Sequence, residues 1–330
     1  MTLLIASLQM IAGFILLVWS ADRLVSGASA LARNFGISPM IVGLTIVGFG
    51  TSAPEMVVSA LAALEGNPAL AIGNALGSNI ANVGLILGLT GLIFPMMIDE
   101  SSRKYEFPIL GVVTIGTAIL MMNGSLSRID GVLLIGGLGL FLLFMVVRAM
   151  RETKPSASTE ALLAEIPDQM DNQAASIWTA VGLLFLPLSA HILVDGAVTI
   201  AQFMDVSEAV VGLTIVALGT SLPELAAAIA SALKKEDDLC IGNILGSNLF
   251  NLMGVLGIAA VIHPMTIEPL LISRDLVVMA AIFALLAIMA YGRGGVHPYL
   301  LEVPTCGSSN LHEPGYNHPA GSSMPSRTSR

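Results

Sequence analysis

Long apolar runs, interrupted by short polar stretches, dominate this chain. Nine of them lie at roughly 3–31, 39–64, 69–95, 107–122, 129–150, 176–202, 209–233, 239–263 and 275–291. Most approach the ~20 residues a helix needs to cross a bilayer, although several are short or broken by Gly and Pro. The pattern predicts an all-α polytopic membrane protein. The stretch RETKPSASTEALLAEIPDQMDNQ (151–173) is polar and divides the chain in two, reading as a flexible aqueous linker. The tail from Gly292 to Arg330 is rich in Gly, Pro, Ser and Asn and is expected to be unstructured. Four regions are therefore expected: a membrane half over 1–150, a linker over 151–174, a second membrane half over 175–291, and a tail over 292–330.

The two halves are copies. At a constant offset of 169 residues, VGLTIVGFGTSAPEMV (42–57) faces VGLTIVALGTSLPELA (211–226), with 11 of 16 positions identical. In the same register IGNALGSNIANVGLILG (72–88) faces IGNILGSNLFNLMGVLG (241–257), with 10 of 17 identical. Five spans per half is an odd number, so the second copy is expected to enter the membrane inverted. One span lacks its image. The run 129–150 should recur near 298–319, where PYLLEVPTCGSSNLHEPGYNHP stands instead. A tenth helix is therefore expected to have been lost or replaced.

Composition agrees with a lipid solvent. The chain has 330 residues, 55% hydrophobic and 11% charged, against about 25% charged in a soluble domain. The mean hydropathy is +0.85. The net charge of −9 sits largely in loops and points to no nucleic-acid partner. Cys240 and Cys306 make no disulfide framework, and MTLLIASLQMIAGFILLVWS has no basic leader. With the N-terminus outside, the inner loops carry Arg33, Arg103, Lys104, Arg148, Arg151, Lys154, Lys234 and Lys235, and the outer loops only Arg128 and Arg274. That bias is expected to place the linker in the cytoplasm.

The chemistry lies in the repeated motifs. GTSAPE (50–55) and GTSLPE (219–224) each put a glutamate, Glu55 or Glu224, inside an apolar run. Such a charge costs about 2.5–3.5 kcal/mol on insertion scales. Thr51 lies four residues before Glu55 on the same helix face, with Ser52 beside it; Thr220 and Ser221 repeat the arrangement before Glu224. Pro54 and Pro223 free the carbonyls of Gly50 and Gly219 from their helical partners. Gly48 loosens the turn above, and the copy offers the carbonyl near Ala217. The next segments add Ser78 with Asn82, and Ser247 with Asn251, again four apart. Asn74, Asn79, Asn243 and Asn248 could ligate or could hold neighbouring helices. These are hard oxygen ligands, suited to Ca²⁺ or Na⁺. A divalent ion between the two glutamates would cancel both charges. Sodium could take the same oxygens, and competition at one site opened alternately to each side is antiport.

GTSAPE with GNALGSNIAN, repeated as GTSLPE with GNILGSNLFN, resembles the paired alpha-repeats of the calcium/cation antiporter superfamily, and within it the prokaryotic sodium/calcium exchangers. The resemblance covers nearly all of residues 1–291. It implies ten helices in a five-plus-five inverted repeat in a bacterial inner membrane, with four central helices holding the ions. It implies calcium coordination by Glu55 and Glu224. It further implies sodium-site hydroxyls at Thr51, Ser52, Thr220, Ser221, Ser78 and Ser247, ligating carbonyls at Gly48 and Ala217, and a central asparagine at Asn82. Asn251 departs from the pattern, because many exchangers carry aspartate there. The neutral amide removes a protonatable charge and leaves proton-coupled calcium export as an alternative.

Plainer readings stand beside these. The glutamates could be structural, neutralised by protonation or by arginine, but no arginine within the apolar spans is placed to pair with them, and the duplication argues for a shared function. The hydroxyls could bond back to their own helices. His191 and Asp195, four apart, form either a proton relay or a structural polar pair near a helix end. The expected partners are small inorganic cations and the bilayer, in a monomer or weak oligomer that needs no cofactor. No P-loop appears, so no nucleotide is expected and the energy should come from an ion gradient. No HExxH or GxSxG marks an intramembrane enzyme. A membrane protein that binds ions without cycling is the alternative of another class.

Overall fold

The computed structural model describes residues 2–35, 48–98, 100, 102–151, 170–234, 237–293 and 295–296, and is helical through most of them. Helix α1 spans Thr2–Asn34. A short turn, Gly48–Thr51, precedes α2 (Ala53–Leu64). Helix α3 (Pro68–Ile80) runs through a π-helical stretch, Ala81–Leu87, into Gly88–Ile93. A π-helical turn at Ser102–Glu106 leads into α4 (Phe107–Met121), and α5 spans Arg128–Arg151. The second half holds α6 (Asn172–Met204), α7 (Glu208–Thr220) and α8 (Leu222–Lys234). Helix α9 (Asp237–Leu249) passes through a π-helical stretch, Phe250–Val255, into Leu256–Ile262. A further π turn, Leu271–Leu276, opens α10 (Val277–Arg293).

Local chemistry sets these boundaries. Asp171 caps α6, its Oδ1 accepting the Ala174 N–H at 2.6 Å. Ser207 caps α7 through the Val210 N–H. Proline occupies the first turn of α2, α3 and α4, where its missing N–H costs nothing. Gly66, at φ +81°, turns the chain from α2 into α3.

Among the described residues seven helices are long and apolar enough to cross a bilayer, and the pair α7–α8, bent by 41°, makes an eighth. The expected second span is described only from Gly48 onward, so its beginning lies outside the described residues. So do residues 152–169 of the expected linker and the positions 298–319 expected to lack a tenth span. The tail reading needs correction at its start. Gly292 and Arg293 still belong to α10, and β4 (Gly295–Val296) pairs antiparallel with β1 (Met96–Met97).

Burial separates a centre from a periphery. The apolar stretch within Cys240–Ile262 is 83% buried and that within Pro68–Ile93 is 61% buried, against 22–33% for the other five long spans. Val112, Ile115 and Ile119 on α4 and Leu140 on α5 stand exposed, a surface fit for lipid rather than water.

Contacts between α1 and α6 are reciprocal across the 169-residue offset. A Cβ on Gly13 would lie 2.9 Å from Leu193 Cβ, and one on its image Gly182 would lie 2.5 Å from Leu24 Cβ. Leu193 is itself the image of Leu24. Gly27 abuts Thr179 and the Ala175 carbonyl, while its image Gly196 abuts Met10 and the Ala6 carbonyl. Ser20 and its image Ser189 meet at 3.4 Å near the middle. The two helices therefore run antiparallel with exchanged partners, as an inverted duplication predicts. The short strands repeat the theme: β2 (Ser125–Leu126) pairs with β3 (Met265–Thr266), the image of β1, just as β1 pairs with β4.

Helix α3 is pressed against α7 with no room for side chains between them. A Cβ on Gly73 would lie 2.3 Å from the Ala209 carbonyl oxygen and 2.8 Å from the Leu213 nitrogen. Gly73→Ala is therefore expected to destabilise the fold by about 1–3 kcal/mol, because backbone must move. Gly136→Ala, where nothing lies within 4 Å, should be neutral. Thermal unfolding of the two purified variants in one detergent checks the contrast.

Candidate functional site

Each half breaks a helix at the same place. Ser52 separates the turn Gly48–Thr51 from α2 with φ −90° and ψ 1°, and Ser221 separates α7 from α8 with φ −83° and ψ 9°. Both sit in the sparsely occupied bridge region. Pro54 and Pro223, two residues on, cannot donate to the turn before. The ladders resume at once, with Met56 N–H to Ser52 O and Leu225 N–H to Ser221 O, both 3.1 Å. Glu55 and Glu224 thus stand in the first turns of α2 and α8, where the positive helix end favours a carboxylate.

Both glutamates are fully buried. Ser221 Oγ, from the second half, donates to Glu55 Oε1 at 3.3 Å. Ser247 Oγ donates to Glu224 Oε1 at 3.3 Å. The other carboxylate oxygen of each, Oε2, is buried without a hydrogen-bond partner. Among the described residues no Lys, Arg or His forms an ion pair with either.

Ser52, Ser78, Asn82, Ala217, Thr220, Ser221, Ser247 and Asn251 are buried as well, and Thr51 is half-buried. The hydroxyl oxygens of Thr51, Ser52 and Ser78 and the amide oxygens of Asn82 and Asn251 have no hydrogen-bond partner. Each such group costs about 1–3 kcal/mol if left unsatisfied. With the two carboxylate oxygens they make seven orphaned oxygens from the expected set. Among the described residues no group of three or more His, Cys, Asp or Glu could hold a metal. The donors here are two acids and neutral oxygens, the chemistry of a hard cation.

Asn82 and Asn251 occupy image positions inside the two π-helical stretches. An extra residue per turn shifts a side chain from where α-helical spacing would put it, and such bulges recur at functional sites. Nothing in residue chemistry announces them. Asn82 Nδ2 donates to Asn248 Oδ1 at 3.2 Å, joining the central helices of the two halves. Gly48 opens the turn before Ser52. The Ala217 carbonyl already accepts the Ser221 N–H at 3.1 Å and lies 3.3 Å from Thr220 Oγ1.

Two further arrangements escaped the sequence reading. Asn74, left open above, donates to Ser59 Oγ at 3.0 Å and to the Glu55 carbonyl at 3.4 Å, and accepts from Thr220 Oγ1 at 3.2 Å. His191 and Asp195 do not pair with each other. His191 Nδ1 meets Glu65 Oε1 at 2.5 Å, tying α6 to the end of α2, and Asp195 accepts from Gln9 on α1 at 3.3 Å. Residues four apart share a helix face, and here that face spans two neighbours.

A membrane bundle with two like motifs, each breaking a helix beside a buried acid, defines an ion-binding transporter class. A family model described as sodium/calcium exchanger protein matches residues 5–147 and 175–300. The chain belongs to the sodium/calcium exchanger family, a family of multi-pass membrane antiporters of cations rather than of enzymes. CaxA of Alkalimonas amylolytica is 47% identical over 285 residues, covering 86% of this chain and 89% of that protein. The inner membrane protein YrbG of Escherichia coli K12 is 42% identical, covering 88% and 90%. Among solved structures, the sodium-calcium exchanger NCX_Mj soaked with Na⁺ and Sr²⁺ is 29% identical, with a TM-score of 0.60 over 90% of this chain and 94% of that one.

Proposed function

We propose that this chain exports Ca²⁺ in exchange for Na⁺ through one oxygen site near the middle of a bacterial inner membrane. The observation that carries the reading is the pair of fully buried glutamates, one from each half, each with a carboxylate oxygen left without a partner. Glu55 and Glu224 are the calcium ligands and cancel its charge. Thr51, Ser52, Ser78, Thr220, Ser221, Ser247, Asn82, Asn251 and the carbonyls of Gly48 and Ala217 complete the shell. Sodium takes the same oxygens with fewer charges, so calcium and sodium exclude each other. Calcium accepts six to eight oxygens, more than two glutamates alone can give.

The duplication supplies the alternation. In an inverted pair, the route from one side of the membrane to the site is the image of the route from the other. The α1–α6 pair, seated on the central helices, rocks or slides to open one route while closing the other. The positive bias of the inner loops puts the N-terminus outside and the linker in the cytoplasm. The reading treats residues 1–150 and 175–291 as the two inverted halves.

Radioactive calcium uptake into sodium-loaded inverted vesicles tests this. Uptake is expected to need the sodium gradient and to saturate. Uptake that follows a pH gradient without sodium would establish the proton-coupled alternative, and binding without counter-ion flux the non-cycling one. Glu55→Gln and Glu224→Gln should each weaken calcium binding by more than about a hundredfold, since one charge of the ion is then left unbalanced.

Asn251 gives a separate expectation. Asn251→Asp adds a third carboxylate to the site and should tighten calcium binding about tenfold at alkaline pH. The gain should vanish as pH falls, because protonation removes the added charge. Equilibrium calcium binding across pH checks both the size and the sign.

A further inference from the structure

The two halves offer the same threonine, Thr51 and Thr220, beside the same acid, yet only one is held. Asn74 has a defined orientation. Its amide nitrogen points to the Glu55 carbonyl, which can only accept, and to Ser59 Oγ, so its oxygen must face Thr220. The Thr220 hydroxyl thus has an acceptor outside its own helix at 3.2 Å, besides the Val216 and Ala217 carbonyls within it at 3.1 and 3.3 Å. With its one proton among these acceptors, its lone pairs are left for a cation, and Asn74 is the acceptor that fixes it from across the helix boundary. Ser59, Asn74 and Thr220 are each fully buried.

The image of this chain is broken by one residue. Thr51 corresponds to Thr220 and Asn243 to Asn74, but the position of Ser59 holds Ala228. Ala228 is fully buried and has no hydroxyl to give. Correspondingly the Asn243 amide nitrogen is buried without a partner, and so is Thr51 Oγ1. This difference is written in the sequence, so it persists whichever way the transporter faces.

Resting on the exchange reading above, we propose that Ser59 and Asn74 are positioning residues for the Thr220 oxygen. Ala228 leaves the Thr51 oxygen unheld, so the two threonine-flanked positions for a monovalent cation are unequal. The Thr220 position is preorganised and binds sodium more tightly; the Thr51 position is the weaker one. Neither Ser59 nor Asn74 needs to touch the ion.

The test is equilibrium displacement of radioactive calcium by NaCl from the purified full chain in detergent, so transport is not required. Ser59→Ala should raise the displacing sodium concentration about two- to tenfold, the size of one net hydrogen bond. Calcium affinity without sodium should stay within about twofold, and Ser59→Thr, which keeps the hydroxyl, should restore displacement. Ala228→Ser should lower the displacing concentration by a similar factor. If Ser59→Ala weakens calcium binding as much as sodium displacement, its role is structural and the proposal fails. If neither Ser59→Ala nor Ala228→Ser moves the sodium midpoint, it fails as well. Wild-type protein that binds calcium and releases it to sodium, but drives no flux in vesicles, would sink the exchange reading alone. Wild type that binds no calcium would sink both.

Discussion

Two carboxylates buried in apolar surroundings and, among the described residues, without a basic partner impose the strongest constraint on this molecule. Water cannot reach them to spread the charge, and the bilayer offers nothing in its place. The protein therefore concentrates every available local compensation around them. Each acid starts a helix, where the backbone dipole is favourable. Each receives a serine hydroxyl. What remains is a pair of buried acids and a set of oxygen lone pairs without hydrogen-bond partners, the donor chemistry a hard cation takes. In a chain without that demand, the broken helices and the wealth of buried amides would be pure cost.

The scaffold around these acids is packed most tightly at its centre. The central spans Pro68–Ile93 and Cys240–Ile262 are the most buried, and close backbone approach fixes α3 on α7 at Gly73, Gly77 and Gly212. Small residues give a tight, unyielding contact where precise oxygen placement matters. The α1–α6 pair is built otherwise. Its contacts are also small and close, at Gly13, Gly27, Gly182 and Gly196, but they lie along two helices of 33 residues each. At 1.5 Å per residue each helix is about 50 Å long, well beyond a ~30 Å hydrocarbon core. These glycines join α1 to α6 rather than to the central helices, so they hold the two long helices together as a pair. The pair remains joined to the core at His191–Glu65.

Much of this was legible in the residues. The apolar runs gave the spans, and the 169-residue register gave the halves and both acids. Ser52 and Ser221 follow directly from Pro54 and Pro223, since a missing N–H must disrupt the turn before it. The tertiary hydrogen bonds were not legible. Asn74, Asn79, Asn243 and Asn248 are equivalent on paper, and only packing decides that Asn74 finds Ser59 and Thr220 while Asn243 is left with Ala228. The π-helical stretches around Asn82 and Asn251 were equally hidden, because helical spacing was assumed in pairing Ser78 with Asn82. His191 was paired by spacing with Asp195, but spacing along one helix says nothing of which neighbour stands opposite.

Duplication also explains why small differences between the halves matter. If the copies were identical, the state open to one side would be the image of the state open to the other, with equal energy. Every departure from identity tilts that balance. Some asymmetry here belongs to a single state: Ser221 reaches Glu55, whereas its image Ser52 has no partner. Such bonds can exchange when the transporter turns over. Other asymmetry is fixed in the chain. The image positions of His191 and Glu65 are Asp22 and Lys234, so the acid and the base have changed places. Ser59 and Ala228 differ by the one hydroxyl that accepts from Asn74. A bias of about 1.4 kcal/mol shifts a two-state balance tenfold. A single hydrogen bond or ion pair present in one half only is enough to set which way an empty exchanger faces.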